Sequence, residues 1–439
     1  MILSVIVLFA IIQSSLFCYI DPGTGSLLFS ALFGIIGTLF FLSKALIIKL
    51  KTFSFADRTN KKDKSSKTKS KIIIYGEDKR YYNVFKPIIE ELINLGIPIT
   101  YYSSSEDDPI FDIKNDLLNS EFIGTGNRAY AKLNFIEADI CLMTTPNLDV
   151  FQLKRSKGVK KYVHIMHAPS EAALYCIYSL DFFDAVLLNG KNQIDDIREL
   201  ENLRGTKVKE LNIIGSSYLD ELEKKKNKIS QNNENNLNIE DDKENDKKNK
   251  KTVLIAPSWG MNGLLKRFGE KLIDAIVEKD FYCIIRPHPQ SLIVEKEMIE
   301  KLKNKYKDNK NLEWDFNVDN IYSLSKADVM LSDFSGVIFD YAFLFEKPTI
   351  IPSFDFDKRG YDAIELKDET WTLKTLPKIS VSLDENNFSS ISDIVNETIN
   401  NKSLKENILK VKEEAYMYRG EAGKRGALIL SDMLKNVEN

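Results

Sequence analysis

Tyr282-Cys283-Ile284-Ile285-Arg286-Pro287-His288-Pro289 sets the architecture of this chain. Its apolar run is too short for a helix and reads as a strand, which the two prolines then end. The same grammar recurs on either side: Val253 to Ala256 before Pro257-Ser258-Trp259, Val329 to Leu331 before Ser332-Asp333-Phe334-Ser335-Gly336, and Thr349 to Ile351. Amphipathic stretches separate these runs, one of them a helix entering after Ser335, and a last helix is expected from Leu404 to Tyr418 and onward to Leu434. Alternation of strand and helix predicts a parallel sheet with crossover helices.

The first half repeats the pattern. Strands are predicted at Lys71 to Gly76, Ile99 to Tyr102, Asp139 to Met143, Tyr162 to Met166, Ala185 to Leu188 and Leu211 to Ile214. A helix over Asn83 to Leu95 carries Val84, Ile88, Ile89, Leu92 and Ile93 on one face. The fold class is therefore α/β, with two Rossmann-like doubly wound domains. Ligands of such sheets sit beyond the carboxyl ends of the strands, so the residues that come after each strand are the ones to inspect.

Composition divides the chain further. Lys224 to Lys251 is nearly all polar and cannot bury enough apolar surface to offset its ordering entropy, so 224–251 is expected to be a disordered linker between an N-terminal domain, 71–223, and a C-terminal domain, 252–439. Residues 1–50 differ in kind. Met1 to Cys18 is apolar, Asp21-Pro22-Gly23 interrupts, and a second apolar run from Leu27 to about Ile48 is long enough to span a bilayer. The basic segment 51–70 marks its own side as cytoplasmic. The expectation is a transmembrane anchor or hairpin, with 1–18 either a membrane segment or a cleaved signal, and with cytoplasmic catalytic domains on a cell membrane.

Across 439 residues, 61 basic and 64 acidic side chains give a net charge of −3, so no global charge recruits nucleic acid. Four cysteines without a CxxC pair and only three histidines argue against a zinc cluster and fit reduced, buried thiols. Neither a cofactor nor a resident metal is called for. Asp355-Phe356-Asp357 has metal-ligand spacing, but Lys358 and Arg359 stand ready to pair with it. Gly260 to Gly269 lacks the GxxxxGKS order of a P-loop.

All three histidines fall on or just past predicted strand ends. Arg286 and His288 project from a stiffened loop suited to a phosphate, which Arg grips bidentately; the bland alternative is an Arg paired with a neighbouring carboxylate. Ser335 and Gly336 open a helix whose N-terminus favours an anion, unless Asp333 or Ser335 simply caps it. His167 faces the same cleft and is placed to accept a proton from a hydroxyl, whereas His164, on the strand itself, reads as structural.

Taken together, APSW, RPHP and SDFSGVIFDYAFLFEKP, with Tyr81 to Pro87 and the histidine-ended strand before Phe182-Phe183-Asp184-Ala185, resemble the CDP-glycerol glycerophosphotransferase family of teichoic-acid polymerases and primases. The resemblance covers about Lys71 to Gly360. It implies a GT-B arrangement and a donor-phosphate site on Arg286, His288, Asp333, Ser335 and Gly336. Gly336 stands where the family has a second serine, and the family's His-Gly-Thr-Pro becomes His167-Ala168-Pro169-Ser170. The implied activity moves glycerol phosphate, or a related polyol phosphate, from a CDP-activated donor to a lipid-linked acceptor at the membrane, with His167 and His288 catalytic. A GT-B glycosyltransferase using a nucleotide sugar, a non-catalytic nucleotide- or polymer-binding scaffold and a nucleotide-sugar 2-epimerase are the alternatives.

Overall fold

Two fully parallel sheets carry the architecture. The computed structural model describes residues 70–235, 250–317, 319–353 and 356–438, with Thr38 and Ser43 as isolated positions. Strands β1 (Ser70–Gly76), β2 (Ile99–Ser103), β3 (Leu118–Phe122), β4 (Glu137–Met143), β5 (Gly158–Ile165), β6 (Ala185–Leu188) and β7 (Glu210–Ile213) form a seven-stranded sheet in the order 3-2-1-4-5-6-7. Strands β8 (Lys251–Ile255), β9 (Phe281–Ile285), β10 (Leu312–Trp314), β11 (Val329–Leu331), β12 (Thr349–Pro352) and β13 (Ser380–Leu383) form a six-stranded sheet in the order 10-9-8-11-12-13. Each order reverses beside its first strand, between β1 and β4 and between β8 and β11. These are the switch points where a crevice opens beyond the strand ends.

Helices α1 (Tyr82–Asn94), α2 (Ser217–Asn235), α3 (Val337–Phe345), α4 (Lys402–Ala415) and α5 (Ala422–Glu438) contribute to the cores that position the site. Alternate residues of the first sheet serve opposite faces, as the pleat requires. Ile72, Ile74, Ile140, Leu142, Val163 and Ile165 pack against Val84, Phe85, Ile88 and Leu92 of α1 and Leu430, Met433 and Leu434 of α5. Ile73, Tyr75, Cys141, Met143 and Tyr162 fill the other face.

Three expectations need correction. The chain does not become a linker at Lys224: α2 runs to Asn235, because Leu219 and Leu222 are buried in the core beneath the second sheet and Ile229 packs onto that core one heptad later. Lys225 pairs with Asp319 at 2.9 Å, and Lys224 with Glu221 at 2.7 Å. Residues 236–249 of the expected linker lie outside the described residues. Nor does one helix run from Leu404 to Leu434. Tyr418 (φ 49°) and Gly420 (φ 79°) break it, and the Asp220 carboxylate holds the break by accepting from Tyr416 Oη (2.6 Å) and the main-chain N–H of Gly420 (2.8 Å) and Ala422 (3.1 Å). Helix α5 thereby returns to the first sheet, so 252–439 is not wholly the C-terminal lobe. Of the cysteines, Cys141 and Cys283 are buried, Cys176 is exposed, and Cys18 lies outside the described residues.

Lys69–Asn439 forms one compact unit, within which both lobes meet. The anchor and basic segment expected over 1–69 fall outside the described residues, except for Thr38 and Ser43. Among the described residues no helix is long and apolar enough to cross a membrane.

Candidate active site

A cavity of about 320 Å³ lies between the lobes, walled by the segments that leave the strand ends. The first sheet supplies Lys79 to Tyr81 and Asn83 after β1, and His167 and Ala168 after β5. The second supplies Pro257 after β8, Arg286 to Pro289 after β9, Asp319 and Asn320 after β10, and Ser335 to Val337 after β11, with Tyr218 and Asp340 also on the wall. Segments distant in sequence converge because parallel strands all end on one edge.

Each functional side chain is held from behind. The loop after His167 is pinned by the short turn after β6: Gln193 Nε2 donates to the carbonyls of Ala168 (3.0 Å) and Ser170 (2.6 Å), and Asn192 Nδ2 to that of Pro169 (2.8 Å). The His167 ring stacks on Tyr175, meets Tyr81 edge-on and places Nδ1 3.0 Å from Tyr175 Oη. Burial, reinforced by the Arg80 charge, lowers its pKa to about 4, so it is neutral at physiological pH.

His288 is neutral for the same reasons, burial first and Arg80 second, at about 4. Its Nδ1 accepts the main-chain N–H of Gln290 at 3.1 Å. The remaining hydrogen is therefore on Nε2, which makes His288 a hydrogen-bond donor from that nitrogen. Arg286 lines the cavity with its fork tied back: Nη1 donates to Asp315 (2.8 Å) and Nη2 to the Asn317 carbonyl (2.8 Å). Burial would raise the Asp315 pKa, but bonds from Ser323, the Asn317 N–H and Arg286 hold it below the usual carboxylate range. Arg286 thus faces the cavity and, as the bland alternative has it, is paired with a neighbouring buried carboxylate.

Helix α3 has Gly336 at its N-terminal boundary and no side-chain cap, and Ser335, Gly336 and Val337 lie on the cavity wall. The N–H groups of Ile338 and Phe339 already donate to the Ser335 (3.1 Å) and Gly336 (3.0 Å) carbonyls, which leaves those of Gly336 and Val337 for an anion. Asp333 is a correction. It is fully buried, off the wall, and its carboxylate accepts the main-chain N–H of Ser258 (3.0 Å), Leu264 (2.8 Å) and Phe334 (2.8 Å). Asp333 therefore shapes the loop after β8 and does not line the cavity. His164 is fully buried with neither ring nitrogen bonded, as a structural histidine packed against Tyr175 and Phe183.

Sequence reasoning gave no role to Arg80, Tyr218, Asp319, Asn320 or Asp340. Asp340 sits at the base of the wall, where burial raises its pKa to about 7 against the opposing bonds from Asn320 and Tyr218 and the Arg286 charge. Placement after β1 was the available signal for Arg80. Of the metal-spaced pair, Asp355 lies outside the described residues and Asp357 is chelated by Arg359 at 2.9 Å. Among the described residues no group of three or more His, Cys, Asp or Glu side chains is arranged to hold a metal ion.

Residues 192–368 match the profile of the family described as CDP-Glycerol:Poly(glycerophosphate) glycerophosphotransferase. This match bears out the resemblance drawn from the sequence motifs. The match includes Arg286, His288, Ser335 and Gly336, while His167 and Arg80 lie outside it, in the part of the first lobe that precedes Asn192. Among solved structures, the wall teichoic acid polymerase TagF in a variant soaked with CDPG aligns over 90% of this chain and 95% of its own, at TM-score 0.52 and 14% identity. A putative UDP-N-acetylglucosamine 2-epimerase from Listeria monocytogenes aligns over 81% and 94%, at TM-score 0.52 and 14% identity. The Neisseria meningitidis UDP-GlcNAc 2-epimerase bound to UDP-GlcNAc aligns over 83% and 100%, at TM-score 0.52 and 15% identity. These likenesses establish a two-domain GT-B-like fold. No curated protein sequence matches it significantly.

Proposed function

We propose that the protein transfers glycerol phosphate, or a related polyol phosphate, from a CDP-activated donor to a lipid-linked acceptor in the synthesis of a teichoic-acid-like cell-surface polymer. One observation carries this reading: His167 from one lobe and Arg286, His288, Ser335 and Gly336 from the other line a single cavity. The donor's phosphates lie against the second lobe, where the uncapped α3 terminus, the Arg286 charge and the His288 Nε2–H offset their charge. An acceptor hydroxyl attacks the phosphorus of the polyol phosphate. The new O–P bond forms as the bond to CMP breaks, and the hydroxyl proton passes to Nε2 of His167. Catalysis of this kind is chiefly positioning and electrostatic stabilisation.

The acceptor is lipid-borne in this reading, which gives the apolar runs of residues 1–50 a purpose: they anchor the chain in the cell membrane, with Lys71 onward on the cytoplasmic side. The test is product identity. Full-length protein with acceptor, supplied in turn with CDP-glycerol, CDP-ribitol and common UDP and GDP sugars, should release CMP from a CDP-polyol. Release of UDP or GDP instead would assign a glycosyltransferase, epimerised sugar an epimerase, and no turnover of any donor a binding scaffold.

A further inference from the structure

The cavity holds one guanidinium that the family match does not reach. Arg80 lies in the short 3-10 turn Lys79–Tyr81, directly after β1, and lines the cavity opposite Arg286 and His288. Its position there is fixed by the turn itself: Asp78 caps the turn by accepting the Arg80 main-chain N–H and also takes Nε, both at 2.9 Å. That leaves the two Nη groups, the end-on fork, without a protein partner among the described residues. The other cations on the wall are differently employed. Lys79 is bound to Asp107, and Arg286 spends one N–H of each Nη on Asp315 and Asn317. Arg80 is also close enough to lower the proton affinity of His167 on its own lobe and of His288 on the other. A fixed cation with its fork open, between two neutral histidines, is a site for a multiply charged oxyanion.

We propose that Arg80 binds the diphosphate of the nucleotide donor from the N-terminal lobe, so that donor binding draws on both lobes at once and the acceptor-side histidine is brought against the donor by the same contact. This rests on the proposed transferase activity for the nucleoside and the direction of transfer, while the charge class, a multiply charged oxyanion, comes from the fork and the cavity. Arg80 is a binding residue in direct contact with the donor. His167 stays the proton acceptor.

The experiment titrates full-length protein in detergent by calorimetry with cytidine, CMP, CDP, UDP, GDP and glycerol 3-phosphate, comparing wild type, Arg80→Gln and Arg80→Lys. The proposal expects Kd for CDP to rise by about 10-fold or more in Arg80→Gln, with cytidine binding unchanged, since the nucleoside lacks the charge at issue. Arg80→Lys should recover part of the loss, because it restores the charge without the fork. That recovery excludes a merely structural role. CDP affinity in Arg80→Gln within about twofold of wild type overturns the proposal. So does a loss confined to glycerol 3-phosphate, which would assign the guanidinium to an acceptor phosphate. If wild type prefers UDP or GDP and Arg80→Gln loses that binding, Arg80 keeps its role and the cytidine-based reading falls. If no nucleoside diphosphate binds wild type, both fall.

Discussion

His167 and Tyr175 are joined twice, by parallel rings with centroids 5.6 Å apart at 9° and by a hydrogen bond between Nδ1 and the phenol oxygen at 3.0 Å. The stack fixes the plane of the imidazole, and the phenol fixes what Nδ1 can do. For Nε2 to accept a proton, Nδ1 must carry the hydrogen and donate it to Tyr175. Tyr175→Phe keeps the ring and removes that acceptor. The expected result is a kcat lower by about 5- to 10-fold, the kinetic equivalent of one hydrogen bond of roughly 1 kcal/mol, with donor affinity unchanged. Steady-state CMP release with saturating donor measures it, and an undiminished kcat would detach Tyr175 from the reaction.

The two cavity histidines should fail differently, because they sit on different lobes. His288→Ala removes the Nε2–H from the donor wall, and losing a hydrogen bond to a charged group costs about 1.5 to 3 kcal/mol, or about 10- to 150-fold in Kd. His167→Ala should leave donor affinity nearly intact and slow turnover by roughly 10² to 10⁴, the range for a lost general base. Donor titrations of both variants, set beside CMP release with acceptor present, separate the quantities. Equal donor affinity in wild type and His288→Ala would remove that residue from the phosphate site.

Acid sensitivity arises from His164. Full burial, with a smaller contribution from His167, lowers its pKa from 6.5 to about 3, and Tyr175 and Phe183 face it without offering a bond in return. Between pH 6.5 and 3 the unfolded chain binds this proton and the folded chain does not, so the contribution is complete above 6.5 and is lost as pH falls, by about 1.4 kcal/mol per unit. Asp196 and Asp340, raised to about 7 chiefly by burial, act with the opposite sign over much of that window. The comparison that isolates the histidine is therefore wild type against His164→Leu. The variant should gain about 2 kcal/mol relative to wild type between pH 8 and pH 5 in urea titrations. A pH-independent difference would mean that His164 takes up its proton in the folded state.

The sequence made the interior of both sheets readable and their rims hard to see. Strands such as β1 and β9 are apolar runs with Ile72, Ile73 and Ile74 or Cys283, Ile284 and Ile285 buried, and their positions agree with expectation to within a residue or two. The strands that escaped, β3, β10 and β13, include both edges of the second sheet and one of the first, and LNSEF, LEW and SVSL are short or partly polar because one side meets solvent. The site divides similarly. His167, Arg286, His288, Ser335 and Gly336 announce themselves by unusual residues after strong strands, and all line the cavity. Asp333 sits in the same signal but turns inward to the loop after β8. Asn320 comes after the weak strand β10, and Tyr218 and Asp340 reach the wall from helices, where nothing in their spacing marks them.

The return of α5 to the first sheet depends on two glycines that sequence reasoning passed over. A Cβ placed on Gly423 would lie 2.6 Å from the Pro87 carbonyl oxygen and 2.7 Å from Pro87 Cβ, and one on Gly426 would lie 3.0 Å from Ile88 Cδ1. Helix α5 therefore reaches α1 only because Gly423 leaves its backbone bare at the crossing, and Ala427, Leu430 and Met433 then bury against the first core. The neighbour of Gly423 is main chain with a proline ring, which cannot rotate aside, whereas that of Gly426 is the end of an isoleucine. Gly423→Val should accordingly destabilise the fold by about 1 to 3 kcal/mol or more, the usual cost of overpacking, while Gly426→Ala should stay within about 1 kcal/mol because Ile88 can shift and alanine favours the helix. Because α5 is the last helix and α4 packs with the second lobe, the loss in Gly423→Val should appear first as faster amide exchange in α1 and α5 and leave β8 and β9 protected. Uniform loss of protection across both lobes would show that they unfold as one cooperative unit, and an unchanged midpoint in urea would show that α5 does not press on Pro87 as closely as the backbone places it.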